Sequence, residues 1–102
     1  MPILKDFRRT KIIILKDYEG SEVEIYDSLL AKDTDLNFTM DSKDINLVLK
    51  NSSKFIKSWN FFNEENQPLE INETNLGLLK TEALTEIFNA ITEFTNEVKK
   101  NN

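Results

Sequence analysis

Apolar and polar residues form two short patterns near the start of the chain. Residues 11–16, KIIILK, are rich in β-branched residues and apolar on both faces, which is typical of a buried strand. Residues 23–27, VEIYD, place Val23 and Ile25 on one face and Glu24 on the other. Between them, DYEGSE is rich in turn residues. The pattern predicts a β-hairpin.

The middle of the chain is less regular. Residues 45–50, INLVLK, suit a helix that Asp41 or Ser42 could cap, yet their apolar positions also alternate with period two. We predict a short helix or turn in this region.

A third strand is predicted at residues 54–62, KFIKSWNFF, ending in the turn NEENQP. Pro68 has no N–H and should prevent further ladder pairing on that side. Neighbouring side chains of a strand point to opposite faces. If Trp59 and Phe61 face the core, Phe62 should therefore be exposed or begin the turn.

The C-terminal third is strongly helical in pattern. Asn72 or Thr74 should open a short helical turn that ends around Gly77, and Thr81 should cap a long helix at about residues 82–99. The apolar residues of this helix recur at three- and four-residue steps, which predicts one buried stripe. They are Leu84, Ile87, Phe88, Ile91, Phe94 and Val98.

These elements predict an α+β fold, in which an N-terminal β-hairpin and further short strands are packed by a long C-terminal amphipathic helix. The length of 102 residues suits one domain. We expect residues 1–10 to form an extended basic arm and residues 11–102 to form that domain. No apolar run approaches the roughly 18 residues of a membrane span, and the start lacks a signal-peptide core, so a cytoplasmic protein without a membrane partner is expected.

The charge is unevenly distributed. The chain has 18 acidic and 13 basic residues, a net charge of −5, while residues 1–16 carry five basic residues against Asp6. That segment has a net charge of +4, so the remainder has −9. An acidic body disfavours direct nucleic-acid binding, which needs clustered cations.

The residues that carry most catalytic chemistry are missing. The chain has no histidine and no cysteine, and its two glycines are too far apart for a phosphate-binding loop. No carboxylate lies in an obviously apolar context that would raise its pKa. We therefore expect neither enzymatic activity nor a cofactor, and expect the protein to act by binding another protein.

The acidic residues before position 45 allow two further interpretations. Asp33, Asp35, Asn37 and Asp44 match ligand positions of a calcium loop, but its glycine position is Phe38 and its last position is not Glu, so a solvated loop fits better. Alternatively, carboxylates can imitate nucleic-acid phosphates and block a nucleic-acid-binding protein. The candidates for that role are Asp33, Asp35, Asp41 and Asp44.

One segment, residues 56–91, combines a Trp-Asn-aromatic strand, an acidic turn, Pro-Leu, an Ile-Asn-Glu-x-Asn-Leu helix start and a closing amphipathic helix. In this combination it resembles small tail-assembly proteins of long-tailed bacteriophages. Residues 18–33, YEGSEVEIYDSLLAKD, are also similar to what precedes such a segment. The sequence departs from the pattern at Asn66, where glycine is more usual. The motif residues here are Trp59, Asn60, Phe61, Pro68, Leu69, Ile71, Asn72, Glu73, Asn75 and Leu76.

The resemblance implies a non-enzymatic phage protein of the host cytoplasm, a chaperone that shields the tape-measure protein while the tail is built. Its partner would be a phage tail component, bound through apolar groups, and an oligomer is possible. The expected partner-binding groups are Phe62, Tyr26, Trp59 and the exposed edge of the C-terminal helix. The alternatives are a virion structural component and an acidic, anti-CRISPR-like inhibitor of a host defence complex.

Overall fold

The computed structural model describes residues 3–34 and 44–100, the last three by their backbone alone. Within these residues the chain forms an antiparallel sheet of three strands together with α-helices, which confirms the predicted α+β class. The strands are β1 (Thr10–Ile13), β2 (Val23–Tyr26) and β3 (Ile56–Trp59). The α-helices are α1 (Ile45–Lys54), α2 (Glu73–Leu76) and α3 (Thr81–Lys100), and a 3-10 turn covers Ala31–Asp33.

The predicted hairpin is present, with β2 at the centre of a sheet of order β1-β2-β3. Strand β1 runs antiparallel to β2, with Thr10 opposite Tyr26 and Ile13 opposite Val23. Val23 and Ile25 of β2 are fully buried, as their alternation with Glu24 predicts. Helix α3 covers this face of the sheet, and Ile87 of α3 shares one core with the β2 side chains.

The prediction that residues 11–16 form a buried strand is wrong. Leu15 is buried, but Ile12 is 57% exposed and Ile14 is 69% exposed. The reason is the position of β1, which is an outer strand of a sheet that α3 covers on one face. Side chains that point away from that face reach solvent, whatever their own hydrophobicity.

Strand β3 begins later than predicted and is interrupted by a bulge. Helix α1 extends to Lys54 and ends at Phe55, so the ladder starts at Ile56. Trp59 lies opposite Val23, but Ile56 lies opposite Ile25, which leaves Lys57 as an extra residue between them. Ile56 and Trp59 therefore face the same side although they are three residues apart, and the strict alternation predicted for this strand is wrong.

The segment at residues 45–50 belongs to helix α1 rather than to a strand. The side chain of Asp44 caps the helix by accepting a 3.0 Å hydrogen bond from the Asn46 N–H. Asp41 and Ser42, the residues predicted to cap it, lie outside the described residues. Helix α1 packs against α2 and beside β3, so it closes the end of the core near Phe55.

Helices α2 and α3 follow the predicted pattern closely. Asn72 caps α2 by accepting a hydrogen bond from the Asn75 N–H at 2.8 Å, and Gly77 ends it. Thr81 is the first residue of α3 rather than its cap, since the Lys80 carbonyl already accepts from the Leu84 N–H. The buried residues of α3 are Ala83, Ile87, Ile91 and Phe94, with Leu84 and Phe88 partly buried; the side chain of Val98 lies outside those described.

Candidate protein-binding site

Three aromatic rings form a corner at the end of β3, which we call the aromatic corner: Tyr18, Trp59 and Phe61. Trp59 and Phe61 meet edge to face with ring centroids 5.3 Å apart, and Tyr18 meets Phe61 in the same way at 5.4 Å. The Trp59 indole N–H donates a 2.8 Å hydrogen bond to the Leu69 carbonyl. All three rings are partly buried. Trp59, a predicted partner-binding residue, thus holds β3 to the segment after the turn, and its main contacts are internal.

The turn after the aromatic residues is a tight hairpin loop. The Asn63 N–H donates to the Gln67 carbonyl at 2.9 Å, and the Asn66 N–H donates to the Asn63 carbonyl at 3.0 Å. Asn66 has a φ of 62°, in the left-handed region. This is a type I turn followed by a left-handed residue, a position that glycine prefers and asparagine tolerates. Asn66 therefore takes the place of the glycine that the phage pattern would lead one to expect.

Phe62 projects from this loop into solvent. It pairs with Pro68 in an isolated antiparallel bridge, and its side chain is 57% exposed. The alternation argument predicted exposure for Phe62 if its neighbours faced the core, and both Trp59 and Phe61 pack against the core. Phe62 is accessible to a partner, but its partner-binding role stays a prediction.

Tyr26, the other predicted aromatic contact, is covered by the arm. The guanidinium carbon of Arg8 lies 3.4 Å from the centroid of the Tyr26 ring. Asp6 holds Arg8 in place, accepting 2.7 Å and 3.0 Å hydrogen bonds from its guanidinium group. These hydrogen bonds lower the pKa of Asp6 to about 2 and raise the pKa of Arg8. A partner that stacks on this face of Tyr26 must therefore displace Arg8.

The predicted acidic residues have local roles where the structure describes them. Asp44 caps helix α1, and Asp33 ends the 3-10 turn, where its carbonyl accepts a 3.1 Å hydrogen bond from the Lys54 ammonium. Asp35 and Asp41 lie outside the described residues, as does Asn37 of the calcium pattern. Across residues 3–34 and 44–97, no group of three or more His, Cys, Asp or Glu side chains is placed to hold a metal ion.

The face of the sheet that α3 does not cover, which we call the outer face, is polar at its centre. Glu24 accepts hydrogen bonds from the Thr10 hydroxyl at 2.7 Å and from the Ser58 hydroxyl at 3.1 Å, so one carboxylate joins all three strands. The hydrogen bond from Thr10 is the main cause of a lowered pKa for Glu24. On the β1 side of this face Thr10 and Ile12 are exposed, while Arg8 covers Tyr26.

Exposed apolar side chains are concentrated in residues 3–14, which cover the arm, β1 and the residue after it. We call them the N-terminal apolar surface: Ile3, Leu4, Phe7, Ile12 and Ile14. These are five of the eight strongly exposed large apolar side chains in the described part of the chain. None of the eight belongs to residues 81–97 of α3, where Leu84 and Phe88 are partly buried, and the partner-binding role expected of the edge of that helix stays a prediction.

The sequence analysis missed this surface because it treated residues 1–10 by charge and residues 11–16 as core. Leu4 is fully exposed and Phe7 is 69% exposed, although both are residue types that usually lie inside. A signal was available in the sequence: an apolar strand preceded by apolar residues in an arm has more hydrophobic positions than one covered face can bury.

Surface depressions differ in their ionisable groups. One of about 420 Å³ brings Lys16 together with Asp17, Glu82 and Glu86. One of about 450 Å³ lies between α1 and α2 and is lined by Asn46, Leu49, Glu73, Thr74, Gly77 and Leu78. Glu73 is the one ionisable side chain among the described residues of this lining. No helix in the described part of the chain is long and apolar enough to cross a membrane.

Comparison with models of protein families, with curated proteins and with solved structures finds no match to this chain.

Proposed function

We propose that this protein has no catalytic activity and acts by binding another protein. The observation that carries the proposal is the concentration of exposed apolar side chains in residues 3–14, five of the eight in the described chain. Exposure of many apolar side chains in one segment is unfavourable in water, and larger exposed apolar patches commonly mark interaction surfaces. Phe62 adds a further exposed aromatic on another part of the surface.

The kind of partner follows from the resemblance of residues 56–91 to tail-assembly proteins of long-tailed bacteriophages. We propose a chaperone, acting in the host cytoplasm, that shields the tape-measure protein during tail assembly. A chaperone for a long helical client should bind through apolar groups, and exposed side chains such as Phe62 and Ile14 offer such contacts. The aromatic corner and Asn66 then have a structural role, which is to fix the loop that presents Phe62.

Co-expression with the tape-measure protein of the same phage genome tests the chaperone proposal. We expect this chain to keep the tape-measure protein in the supernatant and to co-purify with it. The complex should survive about 0.5 M salt, because the burial of apolar side chains depends only weakly on salt. Attraction between charges, in contrast, is screened at this salt concentration to a range of about 4 Å. Phe62→Ala should weaken the complex.

A matched variant separates apolar contact from general loss of structure. Leu78 is 71% exposed but lines the depression between α1 and α2, whereas Phe62 lies beside Pro68 in the loop after β3, so Leu78→Ala should leave the complex intact. Precipitation of the tape-measure protein in the presence of this chain would reject the chaperone proposal. A complex with a host nucleic-acid-binding protein that dissociates at high salt, and no longer forms on charge reversal of Asp33, Asp35, Asp41 and Asp44, would favour the inhibitor instead.

A further inference from the structure

The backbone of β1 has one side paired and one side free. The Arg9 carbonyl accepts a 3.0 Å hydrogen bond from the Asp27 N–H, so the odd-numbered residues of this segment direct their backbone groups toward β2. Since paired and unpaired residues alternate along an antiparallel strand, Thr10, Ile12 and Ile14 direct their N–H and C=O groups outward. In the described part of the chain no strand lies on this side, which we call the outer edge of β1.

The outer edge also has exposed apolar side chains. Ile12 and Ile14 are 57% and 69% exposed, and Ile13 between them is partly buried. Glu22 and Glu24 already lie beside Ile12 on the side of β2. An exposed strand edge accepts a further strand, and the strand that fits this one has apolar residues, not carboxylates, opposite the isoleucines.

Charges of opposite sign lie at the two ends of this edge. At its N-terminal end Lys11 is exposed, and no described carboxylate lies within ion-pair distance of it. The C-terminal end leads into the depression of about 420 Å³, in which three carboxylates, those of Asp17, Glu82 and Glu86, outnumber Lys16. A fitting strand therefore has its own acidic end near Lys11 and its own basic end near Asp17.

A second copy of this chain has these features in the required order when its β1 runs antiparallel to the first. With Ile12 of each copy opposite Ile14 of the other, the four isoleucines form one apolar group on the outer face. On the opposite face Ile13 then meets Ile13 of the other copy. A register with Ile12 opposite Ile12 would set Ile14 opposite Thr10 and would cover less apolar surface.

The same register brings opposite charges together. Asp17 is exposed and follows directly after the edge. In this register it comes opposite Arg9 of the other copy and diagonally next to Lys11, at distances that long side chains can span. Lys11 itself lies opposite Leu15, so the lysines of the two copies do not face each other.

The position of α3 leaves room for this pairing. Helix α3 packs chiefly on β2, one strand in from the outer edge. The two β2 strands of such a pair would be three strand spacings apart, about 14 Å. Neighbouring helices need about 8–10 Å between their axes, so the two α3 helices can lie side by side on one face.

We propose that two copies of this chain associate through the outer edges of their β1 strands and form one six-stranded antiparallel sheet. The pair is symmetric about Ile13, and each copy contributes the same surface. This inference goes beyond the proposed function. Phe62 follows β3 at the opposite edge of the sheet and stays exposed in the pair, whereas a client that contacts Ile14 would compete with the second copy.

Sedimentation equilibrium of the full chain tests the pairing. Between about 10 µM and about 1 mM the mean mass should rise from 11.9 kDa toward twice that value. The paired edge is shorter than the interfaces of stable complexes, so the mass should still be that of one chain at about 10 µM. Amide exchange of Ile12 and Ile14 should become slower over the same range of concentration.

A charge exchange tests the register. Lys11→Glu places carboxylate near Asp17 of a second identical copy, and Asp17→Lys places lysine near Lys11, so each variant alone should associate at least about fivefold more weakly. An equimolar mixture of the two variants should associate again, because both contacts of a mixed pair then join opposite charges. Lys50→Glu on α1 makes the same change of charge at an exposed position away from β1 and is the matched control.

Substitution of the isoleucines tests the apolar contact. Ile12→Thr and Ile14→Thr keep a β-branched residue and change no charge, and together they should weaken self-association at least about fivefold. Leu78→Thr is the matched control and should associate like the unchanged chain. An unchanged Trp59 indole signal in each variant shows that the fold is retained.

Three outcomes would overturn the proposal. These are a constant mass of 11.9 kDa up to about 1 mM, self-association that the isoleucine substitutions do not change, and a mixture of the charge variants that associates no better than either alone. A chain that stays single but protects the tape-measure protein rejects the pairing and keeps the chaperone. Self-association without protection of the tape-measure protein rejects only the chaperone.

Discussion

Strands β1 and β2 are adjacent and both rich in β-branched residues, but they have opposite surroundings. Ile25 in β2 is fully buried, whereas Ile12 in β1 is 57% exposed. Strand β2 has a neighbour on each side and α3 across one face, while β1 has a neighbour on one side. The comparison teaches that position in the sheet determines whether an isoleucine stabilises the fold or remains available to a partner.

The largest expected difference between the two strands is in stability. Ile25→Ala should lower the free energy of unfolding by about 2–5 kcal/mol, because it leaves a cavity in the core. The same substitution at Ile12 should cost at most about 0.5 kcal/mol, as is usual for surface positions. Urea unfolding followed by circular dichroism measures both. Equal losses for the two variants would contradict the assignment of β1 as an open edge.

The aromatic residues at the end of β3 extend the comparison. Trp59→Phe keeps a ring in the corner but removes the N–H donor to the Leu69 carbonyl, so it should cost about 1–2 kcal/mol. Phe62→Leu changes a side chain that is 57% exposed and should cost at most about 0.5 kcal/mol. Thermal unfolding of the two variants ranks them. A larger loss for Phe62→Leu would mean that Phe62, and not Trp59, is the structural anchor.

The smallest expected effect lies on the β1 side, in the contact between Asp6 and Arg8. Hydrogen bonds from Arg8 lower the pKa of Asp6 from 3.8 to about 2. Because the pKa is lower in the folded chain, the contact contributes fully above about pH 4 and is lost as the pH falls through about 2. Carboxyl-carbon NMR of Asp6 should show this low midpoint, and release of Arg8 should change the ring signals of Tyr26 over the same range.

A matched variant checks the cause of that pH dependence. Asp6→Asn removes the titrating group, so the Tyr26 ring signals should no longer change between about pH 4 and pH 2. An Asp6 midpoint near its ordinary value of 3.8 in the unchanged chain would show that the contact does not persist in solution.

Local periodicity was sufficient to predict the parts of the fold that depend on one continuous segment. The stripe of α3, the alternation of Val23 and Ile25, and the Asn72 cap are all determined by residues a few positions apart. The burial of β1 was predicted wrongly because it depends on which strand lies at the edge. Nothing in KIIILK itself specifies that arrangement.

The bulge at Lys57 and the covering of Tyr26 were also beyond the sequence pattern. The bulge exists because β3 follows directly from helix α1 and must still place Ile56 and Trp59 on the core face. Arg8 reaches Tyr26 only because β1 lies beside β2 and Asp6 orients the guanidinium. Both features arise from contacts between distant segments. The exposure of Phe62, in contrast, followed from the local alternation of side chains next to the turn.

Residue-resolved amide hydrogen exchange of the free chain tests the central claim most directly. If the outer edge of β1 is open, the amides of Ile12 and Ile14 should exchange at nearly the rates of an unfolded peptide, while those of Lys11 and Ile13, directed toward β2, should be protected. The measurement requires a dilute sample of the chain alone, with no partner present. Uniform protection of residues 11–14 would contradict the account, because it would mean that the edge is already covered.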